Sequence, residues 1–459
     1  MSNTILAIDI GSTKICAIIA EIADSRVQIL GHGIAKSQGI KKGAITNIEL
    51  ASRAIKTAIN DAKRIAGSNI TSATVSISNA YAKSENSHGV VNIPNKEISI
   101  KEINRVMQTA LYNANIPNEY EIIHVLPYNF RVDDQDFIED PFGMNASRME
   151  VEVNIVMTQK SNLSNLKKAV RSAGVEIDGI VLSGYASSMA VVTQDEKELG
   201  VGVIDLGGQT SNLVIHVGNS IRYNNFLGVG SNHITNDLSM ALHTPLSIAE
   251  KIKISYGNLV EKSNDVIEIP IIGDEENSNH VSLEVVHAVV FSRVEEALLI
   301  LSNALNRSKL KDQLGAGVIL TGGMTKLKGV RELAQSIFGL PVRISQPKEV
   351  SGLFDELKSP AFSTVIGLLL YKAGEHTQYE INFQQELLHS KVLYEENLND
   401  IKIAKTIHDV EDQKELQQEK TQQGSQQESE SFSFNDLPDI AKENNNPFKK
   451  MANWAKQLF

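Results

Sequence analysis

Three apolar segments open the chain, Thr4–Asp9, Ile15–Glu21 and Val27–Ala35, parted by short polar turns, and this pattern predicts three strands. From Ile48 to Ala66 the spacing changes. Apolar residues fall at Leu50, Ala54, Ile55, Ala58, Ile59, Ala62 and Ile65, the period of an amphipathic helix. A further strand is expected over Ala73–Ser78. The order then recurs: Val201–Ile204 and Leu213–Val217 flank a turn at Asp205, a third strand is expected near Ser220–Phe226, and helices from Ile234 onward. Strands followed by a helix, written twice, predict a duplicated α/β architecture with a cleft between the halves.

Between Tyr81 and about Thr158 the pattern differs. A short strand near Val90, a helix from Ser99 to Asn113, and strands over Glu121–Arg131 and Met149–Met157 predict a small α+β insertion in the first half. In the second half, Asp265–Val281 reads as a strand pair joined by an exposed loop over Gly273–Asn279. After about Gly374 the globular signal fades. Glu411–Glu430 holds one aliphatic residue, Leu416, among Gln, Glu, Lys and Ser, too little apolar area to offset ordering, so 376–446 is expected to be a flexible linker.

Composition narrows the function. The 459 residues are 42% hydrophobic and 22% charged, ordinary for a globular protein and long enough for two or more domains. The formal net charge of −11 argues against nucleic acid as the main partner. Cys16 is the only cysteine, so no intrachain disulfide is possible and a reducing compartment fits; its place in a strand reads as a small core residue. The early first strand leaves no room for a signal peptide, and no apolar run approaches the roughly 18–20 residues that span a bilayer.

The candidate chemistry sits at the two matched turns. Asp9-Ile10-Gly11-Ser12-Thr13-Lys14 and Asp205-Leu206-Gly207-Gly208-Gln209-Thr210 each join two strands as a hairpin whose backbone can face an anion. Two such hairpins facing each other would grip a nucleotide's phosphates. Asp9 and Asp205 would hold the accompanying metal through its water shell. A lone Asp-x-Gly turn is a weak signal; two at matched places are much stronger. Leu227-Gly228-Val229-Gly230-Ser231 precedes a helix and is placed to pass close to the nucleotide. Val318–Thr321 is a buried strand ending in Gly322-Gly323, before Met324, where backbone can approach a ligand closely. Glu250 and Lys253 share one helical face, where an exposed salt bridge is the plainer reading of the pair alone.

Together these segments resemble the actin-like ATPase superfamily and, within it, the FtsA family of bacterial cell-division proteins. Asp9 opens the segment similar to the first phosphate motif and Asp205 the second, while Thr321-Gly322-Gly323 with Met324 resembles the adenosine motif. Ile180–Ser188 resembles the first connecting helix and Ser363–Tyr371 the second. The resemblance implies a duplicated actin-like (ribonuclease H-like) ATPase fold binding ATP with Mg2+, and places Glu250 and Lys253 near the adenosine. It further implies core subdomains over 1–80 with 159–195 and 196–231 with 307–375, an inserted subdomain over 81–158, and a partner-binding subdomain over 232–306. Two features depart from the pattern. Ser183 stands where many relatives place a water-orienting carboxylate or Gln, and Gln209 and Asn212 stand where relatives often have Gly and Asp. Tight binding with slow or negligible hydrolysis is expected. Gln209 is the one candidate substitute for the missing catalytic group.

The last segment carries a different signal. At about 100° per residue, Phe448, Met451, Ala452, Trp454, Ala455, Leu458 and Phe459 fall within an arc of roughly 160°, with Lys449, Lys450, Asn453, Lys456 and Gln457 opposite. Pro447 suits the first helical position after the Asn444–Asn446 run. A cationic face opposite a Phe/Trp/Leu face suits an interfacial helix on anionic lipid. Docking on the chain's own body or in a partner's groove are the alternatives. Such an anchor is weak alone and strong when many copies act together.

These features lead to an ATP-dependent, self-assembling adaptor. The resemblance implies that it ties FtsZ filaments to the cytoplasmic face of the inner membrane at the division septum. It also implies that the adaptor polymerises, meets other division proteins and takes the FtsZ C-terminal peptide on the 232–306 subdomain. Arg293 is the first cation to consider there, with a salt bridge to Glu295 or Glu296 as its plainer role. A small-molecule kinase and an actin-like pilus-assembly ATPase are the rival classes. The first needs a carboxylate base in the cleft, and the second has no use for the terminal helix.

Overall fold

The computed structural model describes residues 3–389, apart from 219 and 262. The expected linker beyond 389 and the amphipathic segment Pro447–Phe459 lie outside the described residues. The chain opens with β1 (Asn3–Ile10), β2 (Lys14–Ala23) and β3 (Arg26–Lys36), then a small hairpin of β4 (Ile40–Lys41) and β5 (Ala44–Ile45). Next come α1 (Ile48–Ala66) and β6 (Ser72–Ile77). Asn47 caps α1 by accepting from the Leu50 N–H, and Gly67 ends it in the left-handed region at φ 62°. Of the apolar face read from the sequence, Ala54, Ile55, Ala58, Ile59 and Ala62 are buried, while Leu50 is half-buried and Ile65 is exposed.

An insertion follows, built from β7 (Ala82–Asn92), α2 (Ile100–Asn113), β8 (Tyr120–Val132), β9 (Gln135–Ile138) and β10 (Arg148–Gln159). The strand near Val90 is therefore longer than expected. Its polar half, from Lys83 to His88, lacks apolar alternation but pairs with β10 throughout. The chain returns through α3 (Lys160–Ser172), β11 (Glu176–Leu182), α4 (Ser183–Val191) and α5 (Gln194–Leu199). Here the reading of Ile180–Ser188 as helix is corrected. Ile180–Leu182 completes β11, pairing in parallel with Val75–Ile77, and the helix starts at Ser183. A short apolar run has no periodicity that separates strand from buried helix.

The second half repeats the plan with β12 (Val201–Leu206), β13 (Ser211–Val217), β14 (Ser220–Leu227), α6 (Ser231–Leu242) and α7 (Leu246–Tyr256). It continues with β15 (Val266–Ile271), β16 (Asp274–Ser282), α8 (Leu283–Arg307), β17 (Val318–Thr321), α9 (Val330–Phe338), β18 (Val342–Ile344) and α10 (Ser363–Leu370). The loop expected over Gly273–Asn279 is mostly strand: Gly273, at φ 81°, makes the turn and β16 begins at Asp274.

The sheets run β11-β6-β1-β2-β3 and β18-β17-β12-β13-β14, one plan used twice. In each, the first strand pairs antiparallel with its hairpin partner and parallel with the strand on its other side. Ile15–Ala20 are all buried, because layers cover that strand on both faces. Between the sheets α4 and α10 lie against each other, α4 touching β12 and β13 and α10 touching β1 and β6. Their approach is limited by Gly367, where an added Cβ would sit 1.7 Å from the Ala186 carbonyl oxygen. One apolar core joins Ile8, Val203, Ile319 and Ile366 from both halves. No helix among the described residues is long and apolar enough to cross a membrane.

The expected linker start at 376 is also corrected. Tyr379 and Ile381 are fully buried in the core of the insertion. Two isolated apolar side chains leave no periodic signal, so their tertiary anchor is invisible to a pattern reading.

Gly367→Ala is expected to force α4 and α10 apart and cost about 1–3 kcal/mol of stability, the usual range for overpacking a tight contact. Urea unfolding of the full chain measures this. An unchanged midpoint would mean that the two helices part without cost.

Candidate functional site

The turn after β1 and the turn after β12 meet. An added Cβ on Gly208 would lie 1.8 Å from Thr13 Oγ1, so only glycine lets the two loops touch. They open onto one cavity of about 450 Å³, within the range usual for small-molecule sites. Asp9, Gly11, Ser12, Thr13, Lys14, Asp205, Gly207, Gly208, Thr210, Glu250, Lys253, Gly322, Gly323 and Met324 all line it.

Both aspartates are half-buried, and each is held by a hydroxyl. Ser76 Oγ donates to Asp9 Oδ1 at 2.9 Å, and Thr364 Oγ1 donates to Asp205 Oδ2 at 3.3 Å. Burial pushes the Asp9 carboxyl above its usual range, against the nearby Lys14 charge and the Ser76 bond. Asp205 is pushed up to about 6, by burial first and then by the charge of Asp9. Asn212 stands directly across the hairpin from Asp205 and lines the same cavity. Its buried Oδ1 has no partner. Two carboxylates and an orphaned acceptor around one space suit a hydrated cation. Lys14 Nζ donates to the Ala361 carbonyl at 2.6 Å and sits 4.3 Å from the Phe362 ring centroid. An anion and a cation together would satisfy this end of the cleft.

At the other end, Lys253 Nζ contacts Glu250 Oε2 at 2.7 Å, Thr235 Oγ1 at 2.9 Å and the Ser231 carbonyl at 3.2 Å. This pair is part of the cleft wall, with the Lys253 side chain only 10% exposed. Ile234, Ile254 and Leu327 supply apolar wall that the sequence reading did not assign. Gly322, at φ 90°, passes so close to Asp205 that an added Cβ would lie 2.3 Å from Oδ1.

Three expected residues are not among those lining the cavity. Gln209 points away: its Oε1 accepts from the Lys42 N–H on the β4–β5 hairpin at 2.8 Å. Gly230 is pressed against the Gly207 and Gly208 backbone, where the Ser231 N–H donates to the Gly207 carbonyl at 3.0 Å. Gly228 packs beside Phe226 and the Lys42 stem. Gly230 thus shapes the second loop from behind. Arg293 is occupied as well. It makes a two-pronged pair with Asp237, at 2.5 and 3.0 Å, and a third contact with Glu296 at 2.5 Å.

Family models match two parts of the chain. The model described as cell division protein FtsA covers residues 202–367, and the SHS2 domain inserted in FtsA covers 79–157. The chain is 42% identical over 410 residues to cell division protein FtsA of Helicobacter pylori J99, covering 82% of this chain and 83% of that one. Against cell division protein FtsA of Escherichia coli K12 it is 30% identical over 406 residues, covering 86% and 96%. The chain belongs to the FtsA family. It is therefore an actin-like cell-division protein, with the duplicated actin-like (ribonuclease H-like) fold and an α+β insertion. A solved PilM-PilN type IV pilus biogenesis complex shares that fold, with a TM-score of 0.58 at 16% identity, covering 80% of this chain and 98% of the other.

Within this FtsA-family cleft the lining carboxylates are Asp9, Asp205 and Glu250. Ser183 faces the cavity, and its Oγ donates to the Ile77 carbonyl at 3.0 Å. Ser76 and Thr364 could not have been assigned from sequence, since each lies far along the chain from the aspartate it holds.

The raised Asp205 has a pH signature. Its carboxyl ionises near pH 3.8 in the unfolded chain and near 6 in the fold, so the stability it gives the empty protein is complete below 3.8 and lost as pH rises through 6. A cation needs the ionised form. The gain in Tm on adding Mg2+ is expected to be small at pH 5 and complete at pH 7.5. Equal gains at both would remove Asp205 from the cation site.

Proposed function

We propose that this chain is an ATP-binding, self-assembling adaptor that tethers FtsZ filaments to the cytoplasmic face of the inner membrane at the division septum. The observation that carries the nucleotide part is that Asp9 and Asp205, one from each half, line a single cavity. The two glycine turns and Lys14 would hold the phosphates. Asp9 and Asp205 would hold Mg2+ through its waters, with Asn212 Oδ1 as a further acceptor. Mg2+, when bound, offsets the phosphate charge. Glu250 and Lys253 would lie near the adenosine, which Gly322, Gly323 and Met324 would also approach closely. Hydrolysis is weak or absent on this reading. Glu250 is committed to Lys253, Ser183 has no acid or base function, and Gln209 is tied to Lys42.

The membrane part rests on the pattern of Phe448, Lys449, Lys450, Met451, Trp454, Ala455, Lys456, Leu458 and Phe459. Membership in the FtsA family supports FtsZ, other division proteins and further copies of this chain as partners. Arg293 remains the cation to test for the FtsZ peptide, whose carboxylates would have to displace Asp237 or Glu296 to reach it.

Asp205→Ala is expected to weaken Mg-ATP binding at least tenfold by calorimetry, a loss of about 1.4 kcal/mol or more. Unaltered affinity would reduce the second loop to a turn. Removing Pro447–Phe459 is expected to abolish pelleting with anionic liposomes while Mg-ATP still binds. Pelleting that survives the deletion would refute the anchor.

A further inference from the structure

A carboxylate that the cleft does not use lies fully buried behind it. Glu380 belongs to a strap, residues 376–388, that follows α10 and the helical turn Tyr371–Glu375. The strap packs against the insertion. Ile381 and Val125 of β8 exchange backbone hydrogen bonds at 2.9 and 3.0 Å, and the Tyr379 ring packs edge-on against Phe130. It closes on itself where the Leu388 N–H donates to the Glu380 carbonyl at 2.7 Å.

Glu380 collects its donors from separate parts of the chain. Tyr371 OH donates to Oε1 at 2.8 Å, and Tyr185 OH of α4 donates to Oε2 at 3.0 Å. His124 Nδ1 of β8 lies 2.6 Å from Oε1. The remaining nitrogen fixes the histidine's state. His124 Nε2 accepts from the Leu182 N–H at 3.1 Å, and a backbone N–H can only donate. Nε2 is therefore unprotonated and Nδ1 carries the proton toward Glu380. Thr377 N–H, also from the strap, donates to Tyr185 OH at 2.7 Å. His124, Glu380 and Tyr185 are all within 2% of complete burial, where an unmade hydrogen bond is most costly.

Leu182 is the last residue of β11, and Ser183 beside it lines the cleft. We propose that the strap positions the cleft: Glu380, acting through His124, fixes the Leu182 peptide and with it the first turn of α4. The seating of the strap then sets how firmly the cleft retains its nucleotide. This rests on the reading of the cleft as a nucleotide site. Glu380 and His124 touch no ligand on this account and are positioning residues.

The test uses the full chain, a fluorescent ATP analogue with Mg2+, and three substitutions. His124→Phe keeps the ring but cannot accept from Leu182, and is expected to speed analogue release about three- to tenfold, the worth of one buried hydrogen bond. Tyr371→Phe removes a donor from the same carboxylate without touching Leu182, and release is expected to stay within about twofold of the unaltered chain. Equal acceleration in both variants would mean general loosening and would overturn the proposal, as would unchanged release in His124→Phe. Glu380→Gln keeps the shape of the junction and covers the case in which His124→Phe does not fold. Its Leu182–Tyr185 amides are expected to exchange hydrogen faster than in the unaltered chain, a readout that needs no nucleotide. Faster exchange confined to the strap would overturn the positioning role. Failure of the unaltered chain to bind the analogue would instead reject the nucleotide reading, leaving amide exchange to decide the link from Glu380 to α4.

Discussion

Two carboxylates brought into one half-buried cleft set the terms for everything around them. Asp9 and Asp205 come from opposite halves of a duplicated fold, and partial burial raises the cost of ionising either. Ser76, Thr364, Asn212 and Lys14 offset part of that cost. On the proposed reading, a divalent cation and a polyphosphate bound together would meet what remains. The arrangement requires the two phosphate turns to touch, which glycine at 208 permits, and requires the halves to be held in register, which the α4–α10 contact at Gly367 provides.

The same logic explains which departures from the superfamily pattern matter. Gln209 is lost to the cleft but gained as a link between the second phosphate loop and the β4–β5 hairpin of the first half. Asn212 lines the cavity across the hairpin from Asp205 without adding a third negative charge beside Asp9 and Asp205. Ser183 leaves the start of α4 without a group able to take a proton. On the proposed reading, such a cleft would hold a polyphosphate and hydrolyse it slowly.

The insertion and the strap add a second constraint. The insertion shares its core with Tyr379 and Ile381, from far along the chain, so it is closed by the strap and not by its own sequence alone. Glu380 lies between the insertion and α4, with its donors supplied by β8, α4 and the turn after α10. A buried polar group of this kind is tolerable only when its hydrogen bonds are made, as they are here.

Much of this was legible in the linear pattern. The helical period fixed α1 over Ile48–Ala66, and alternating apolar runs located the hairpin strands. The paired Asp-x-Gly turns identified most of the cleft, because hairpin chemistry is local and needs only neighbouring residues. The tail's amphipathic pattern is likewise a property of adjacent positions. Tertiary structure alone decided the rest. That Ile180–Leu182 is strand, that Gly230 supports the second loop from behind, that Arg293 is spoken for by Asp237, and that Glu380 is buried all depend on partners distant in sequence. Local propensity and periodicity carry no record of such partners, and burial of a polar group is decided by whoever arrives to satisfy it.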